Sequence, residues 1–302
     1  MTRNRRLGQD VNGVVILDKR VGISSNAALQ EVKKLFHARK AGHTGSLDPL
    51  ASGLLLVCMG EATKISSFWL NSDKRYRVKV KLGVSTTTGD SEGEVVERKP
   101  TDHVNEKDIV PVLEKFVGEI AQVPPMYSAL KHNGTRLYEL ARKGVDVERK
   151  ARIVTIFGLK LLFYKHDTLE LDVHCSKGTY IRTLAEDIAV AMGSCGYVEQ
   201  LLRLQVGEFV IEDGYKIEEL ERLASTGNLN TSLVSVSDAL KSWPSVCLSD
   251  ELAFFVKQGQ AVLSPKTPKE RWVKLLTQNQ HFFGIGEVLT DGKVAPRRIL
   301  NV

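Results

Sequence analysis

Residues 75–82, RYRVKVKL, alternate without a fault: Tyr76, Val78, Val80 and Leu82 fall on one side of an extended chain, and Arg75, Arg77, Lys79 and Lys81 on the other. Such a segment is stable only as a strand whose apolar side is covered, so it demands a sheet with a packed face and a second layer above it. The four cations give the open side a strongly basic face, which tilts the strand toward a nucleic-acid ligand.

Other segments extend that sheet. Residues 12–18 (NGVVILD) read as a short buried strand, and strands are predicted at 153–163 and 168–175. After a turn at Lys19–Gly22, Ser24 or Ser25 can cap a helix over SNAALQEVKKLFHA, where Leu29, Val32, Leu35 and Phe36 recur at helical spacing. Further helices are predicted at 106–117, 179–192 and 216–225, and residues 51–70 are apolar and predicted helical in part. Residues 83–94 read as loop, and Pro124–Pro125 opens an extended segment. Around Trp243–Pro244 the pattern changes to a short helix followed by strands, with Asp291–Gly292 as a hairpin turn. A domain boundary near residue 246 divides the chain into a large domain, 1–246, and a small β-rich domain, 247–302. Strands and helices mix without regular βαβ alternation, so the fold class is α+β with a mixed, largely antiparallel sheet.

Composition excludes some alternatives. With 42% hydrophobic and 26% charged residues in 302, the chain is neither disordered nor membrane-spanning, and no apolar run approaches bilayer length. The start, MTRNRRLGQDVNG, is basic and lacks a following segment of signal-peptide type, which points to the cytoplasm. Cys58, Cys175, Cys195 and Cys247 form no C-x-x-C pair, a pattern suited to a reducing compartment. Residues 1–100 hold 17 Lys/Arg against 10 Asp/Glu and residues 247–302 hold 8 against 5, while 101–246 hold 17 against 21. Basic ends around an acidic middle suit a polyanion gripped at two places, and composition alone suits an uneven solvated surface at least as well. There is no P-loop, no dinucleotide fingerprint and no His/Cys cluster with metal spacing, so no cofactor and no metal are expected.

Chemistry concentrates in residues 42–53, GHTGSLDPLASG. Asp48 stands before Pro49, which biases it toward extended backbone, and flanking glycines let such a loop approach a ligand closely. His43 lies on the same segment, and spacing alone fits equally an Asp48 that caps a turn and a His43 that bonds its own backbone. Arg182, in the first turn of CSKGTYIRTLAEDI, can pair with Glu186 at i+4 or turn to Asp48 and hold that carboxylate ionised.

The segment GHTGSLDPLASGLL resembles the catalytic motif of the TruB family of pseudouridine synthases. So do GVVILDK…GISSN at 13–26, GEATK at 60–64, DKRYRVKVKLG at 73–83 and T-x-T-x-D-x-x-G at 86–93. PPMYSALKHNGTRLYELAR at 124–142 and CSKGTYIRTLAEDI at 175–188 also match, and VAPRRIL at 294–300 looks like the end of a PUA domain. The resemblance implies isomerisation of uridine to pseudouridine at position 55 in the T loop of tRNA, by a monomer without an obligatory protein partner. It implies that Asp48 is catalytic and paired with Arg182, and that Tyr76 stacks on the flipped base. It further implies that Tyr180 lines the uracil pocket, Leu201 packs beside the base, His43 helps displace it and Asp90 lies nearby. Arg20, Thr87 and Leu202 depart from the family's usual Pro, Asp and Arg, which bears on local rigidity and RNA contacts. Asp48 can act as nucleophile or as base.

Overall fold

The computed structural model describes residues 8–301; the basic start at residues 1–7 lies outside the described residues. In chain order the first half contains β1 (Gly13–Lys19), α1 (Ser25–Leu35), β2 (Ala41–His43), β3 (Ser52–Met59), α2 (Ser66–Leu70) and β4 (Lys74–Leu82). There follow β5 (Val84–Thr86), β6 (Val95–Arg98), α3 (Glu106–Glu114), β7 (Gly118–Gln122), β8 (Lys131–His132), β9 (Thr135–Arg136) and α4 (Leu137–Ala141). The long strands β10 (Arg152–Lys165) and β11 (Thr168–Cys175) precede α5 (Ile181–Ala191), β12 (Gly196–Val206), β13 (Phe209–Val210) and α6 (Ile217–Ser225). The C-terminal part contains β14 (Ser245–Leu248), α7 (Asp250–Lys257), β15 (Val262–Leu263), β16 (Trp272–Thr277), β17 (Phe282–Val288) and β18 (Lys293–Ile299).

A nine-stranded sheet runs β1-β3-β12-β4-β11-β10-β7, with β2 beside β3 and β13 beside β12. Its pairs are antiparallel except β12 with β3, where Arg203 lies opposite Gly53. Gly53 has φ +99°, and a Cβ there would sit 2.4 Å from the Arg203 carbonyl, so only glycine lets the two strands meet. The C-terminal strands form a second sheet, β14-β16-β17-β18-β15. The fold is therefore α+β and largely antiparallel, as the mixed pattern predicts.

The alternating segment is the central strand β4. Val78, Val80 and Leu82 are buried with Ile109 and Leu113 of α3 and with Ile181, Leu184 and Ile188 of α5, the covering layer that the alternation requires. Its other face is not a free basic surface. Arg75 pairs with Asp172 at 2.8 Å, Arg77 with Glu170 at 3.5 Å, Lys79 with Glu199 at 2.7 Å and Lys81 with Asp167 at 2.6 Å. The neighbouring strands β11 and β12 (or, for Lys81, the turn before β11) supply an acid for each cation, information absent from the strand itself.

Residues 51–70 are helical in part, as expected, over Gly60–Lys64 and Ser66–Leu70; their first half is the buried strand β3, which the sequence pattern did not identify. A run apolar on both sides suits a strand between two neighbours as well as it suits a helix, and periodicity cannot separate them. Ser24 and Ser25 divide the roles left open between them. Ser24 caps α1, its Oγ accepting from the Ala27 N–H at 3.1 Å. Ser25 turns inward, donating to the Leu47 carbonyl at 3.0 Å and accepting from the Leu47 N–H at 2.6 Å.

The two sheets share apolar packing. Val14, Leu54, Leu56 and Val206 of the first form one core with Leu276, Phe282, Ile285 and Leu300 of the second. At its edge the Phe68 ring of α2 meets Trp243 and Trp272 edge-on, at 4.9 Å each. No helix among the described residues is long and apolar enough to cross a membrane.

Candidate active site

The loop between β2 and β3 carries Asp48; the buried side chains of Ser25 and Arg203 fix it, and buried Lys19 fixes the adjoining turn after β1. Ser25 brackets Leu47 from α1. Arg203, 1% exposed on β12, donates Nε to the Leu54 carbonyl at 2.7 Å and NH2 to the Gly45 carbonyl at 3.2 Å. Lys19, equally buried, donates Nζ to the carbonyls of Arg20 at 2.9 Å and Ile23 at 2.8 Å, and burial lowers its pKa to about 8. Loop carbonyls that a compact turn leaves unpaired thus find charged donors.

From the opposite side, Gln122 at the end of β7 grips the start of α5. It accepts from the Tyr180 N–H at 3.1 Å and donates to the Tyr180 carbonyl at 3.3 Å. Two residues on, Arg182 is 5% exposed and all three of its nitrogens are used. Nε faces Asp48 Oδ2 at 3.1 Å, and NH1 donates to the Thr88 carbonyl at 2.9 Å and faces Asp90 Oδ2 at 3.3 Å. NH2 donates to the Tyr127 carbonyl at 2.6 Å. Of the two partners left open by the sequence, Arg182 takes Asp48; no ion pair joins it to Glu186 among the described residues.

Asp90 is sealed, with its side chain 3% exposed, and it also accepts from the Thr88 hydroxyl at 2.5 Å. Asp48 is 40% exposed and opens toward solvent. Burial in the cleft pushes the Asp48 carboxyl above its ordinary value; Arg182 pulls it down, and nearby Asp90 pushes it up again. The net direction is upward, the reverse of what the cation alone would give.

Asp48, Tyr76, Tyr180, Ile181, Arg182, Leu201 and Arg203 line one cavity of about 320 Å3. Five of the predicted site residues therefore meet. Asp90 stands behind Arg182 and outside the cavity. His43 does not line it; half-buried on β2, it keeps an unpartnered Nδ1, and burial lowers its pKa. The sequence reading missed Lys19, Gln122, Arg203 and Lys74, another buried cation at the cavity wall. A signal existed for Arg203, which lies two positions from Leu201 on a strand and so on the same face.

The departures are local. Arg20 makes a two-pronged pair with Glu31 of α1, both bonds 2.8 Å, which ties down the turn that a proline would stiffen. Thr87 Oγ accepts from the Glu94 N–H at 3.1 Å. Leu202 faces away from the cavity, beside Val21, Arg77 and Lys79.

The family model described as TruB family pseudouridylate synthase (N terminal domain) matches residues 33–181, and that for Pseudouridine synthase II TruB, C-terminal, matches residues 244–300. A tRNA pseudouridine synthase B of Nitrosococcus oceani is 52% identical, covering 99% of this chain and 98% of its own. One from Pseudomonas fluorescens is 48% identical over 99% of both. Among solved structures, an H/ACA RNP bound to a substrate RNA containing 2′-deoxyuridine superposes with a TM-score of 0.75 at 20% identity, over 100% of this chain and 92% of that one. That likeness is one of fold.

Proposed function

This chain belongs to the TruB family of pseudouridylate synthases, and we propose that it isomerises uridine to pseudouridine at position 55 in the T loop of tRNA, with Asp48 as the essential carboxylate. Full-length relatives about half identical to it bear the name tRNA pseudouridine synthase B, which supports tRNA as substrate. The reaction breaks the C1′–N1 bond, forms C1′–C5, releases the C5 hydrogen to solvent and leaves a proton on N1. It is redox-neutral and consumes no second substrate.

One observation carries the assignment. Asp48 is the only carboxylate among the described residues lining the cavity, and it is held by an arginine whose other nitrogens are fixed elsewhere. A carboxylate so oriented is positioned for attack or for proton abstraction, both of which depend on placement. Tyr76, Leu201 and Ile181 supply walls that keep the detached base from leaving, and Tyr180 closes the pocket at the start of α5. Flipping the base out of a folded loop costs about a few kcal/mol, and His43, at the root of the catalytic loop, helps fill the vacated space.

Asp48→Asn keeps the size of the side chain and removes its ability to attack or to accept a proton. Single-turnover tritium release from 5-tritiated uridine in tRNA is expected to vanish, with filter-binding affinity within a few-fold of wild type. Near wild-type turnover would overturn the assignment.

Residues 247–302 act in this reading as a module that positions RNA, supported by their net positive charge. Removing them is no clean test, because Leu276, Phe282, Ile285 and Leu300 belong to a core shared with the larger sheet. Charge changes at exposed Lys266 and Lys269, which should weaken binding and flatten its salt dependence, serve instead. In this reading the chain acts as a monomer without an obligatory protein partner. Free cysteines, three of them buried, support the cytoplasm.

A further inference from the structure

Next to Tyr127, whose carbonyl Arg182 holds, stands Ser128. It is 6% exposed, it lines the same cavity as Asp48, and its Oγ has no hydrogen-bond partner. Its backbone is fixed on both sides: the N–H donates to the Met126 carbonyl at 2.9 Å, and the carbonyl accepts from the Tyr138 N–H of α4 at 3.1 Å. The hydroxyl lies close enough to the Tyr180 phenol to draw that group's pKa down against the larger rise that burial causes, but outside hydrogen-bond geometry. A buried hydroxyl without a partner is costly, so its persistence in a cavity wall points to a partner that arrives with the ligand.

Resting on the uridine-isomerase reading, we propose that Ser128 hydrogen-bonds a carbonyl of the flipped uracil and makes the equivalent bond again after the base has turned. The chemistry of the base suits a single hydroxyl. Turning uracil about its C6–N3 axis exchanges N1 with C5 and, in the same motion, O2 with O4. A donor fixed beside one carbonyl before the turn therefore faces the other carbonyl after it. A serine hydroxyl rotates freely about its own C–O bond and serves both without moving its backbone. The link from Asp48 through Arg182 to the Tyr127 carbonyl sets this donor in register with the group that does the chemistry.

The test crosses Ser128→Ala with tRNA transcripts whose target uridine carries oxygen at both positions, sulfur in place of O2, or sulfur in place of O4. Sulfur is a weaker acceptor, so it weakens the contact from the ligand side. The expected result for Ser128→Ala on uridine is a single-turnover rate about three- to tenfold lower at saturating RNA, the size of one neutral hydrogen bond. RNA affinity should stay within twofold, and Ser128→Thr should recover part of the rate. Each sulfur should slow the wild-type protein but slow the alanine variant no further, because both changes remove the same bond. Fully additive slowing, or an alanine variant at the wild-type rate, overturns the proposal. Failure of the wild-type protein to convert the all-oxygen transcript would overturn the isomerase reading itself, a separate result.

Discussion

The outer face of β4 and the floor of the cavity are built from the same kinds of group and behave oppositely. On the outer face, four cations meet four carboxylates with side chains roughly one-third to one-half exposed in most cases, and the row is a solvated ladder. At the cavity, one arginine with a 6% exposed side chain meets two carboxylates and two carbonyls. Water screens the first set, so its geometry can relax at little cost. In the second set only Asp48 reaches solvent; Arg182 and Asp90 are sealed, so removing the arginine strands Asp90 and releases Asp48 from its fixed orientation. Charge density in a sequence thus says little about function until burial is known.

The comparison breaks most sharply at Arg182→Met. Stranding Asp90 and losing the orientation of Asp48 should lower the single-turnover rate about a thousandfold, with RNA binding largely kept. A loss below tenfold would place Arg182 with the outer-face ladder. Arg203→Met should act on stability, since it leaves the Leu54 and Gly45 carbonyls without their donor; chemical denaturation should show a loss of about 3 kcal/mol.

Glu186 sharpens the contrast from between the two extremes. Burial, with Asp187 and Asp90 adding to it, raises its pKa to about 7. A carboxyl whose folded pKa exceeds its unfolded value binds more protons when folded, so stability falls as pH rises from about 4.5 through about 7. Glu186→Gln should therefore raise stability on the order of 1 kcal/mol at pH 8 and much less at pH 5. Equal gains at both pH values would contradict the burial argument. Turnover at pH 7 should be nearly unchanged. The smallest effect belongs to the ladder: a double-mutant cycle on Lys81 and Asp167 should give a coupling below about 1 kcal/mol that shrinks with added salt.

Much of the fold was legible where one residue's neighbours are its sequence neighbours. The alternation of β4, the helical spacing in α1 and α5 and the turn at Asp291–Gly292 all depend on local patterns, and each element formed close to its expected place. The strand β3 was not legible because a run apolar on both sides carries no period. The basic face of β4 was misread for a related reason: its partners lie 86 to 120 positions away along the chain, on or beside strands whose register no local pattern fixes. At the site, motif resemblance located Asp48, Tyr76, Tyr180, Arg182 and Leu201, which share the cavity. Lys19, Gln122 and Arg203 escaped because their work is to satisfy backbone carbonyls and N–H groups, a need that arises only once the loops are folded.

The joint between the two sheets has an optical consequence. The chain contains three tryptophans, and all of them sit there. Trp69 is buried in the shared core against Phe209, while Trp243 and Trp272 stack 6.4 Å apart beside Phe68. None lines the cavity of Asp48. Tryptophan fluorescence therefore watches the seam rather than the cavity. A melting curve followed at tryptophan wavelengths reports the parting of the two sheets, and a base entering the cavity must be followed by a probe placed there on purpose.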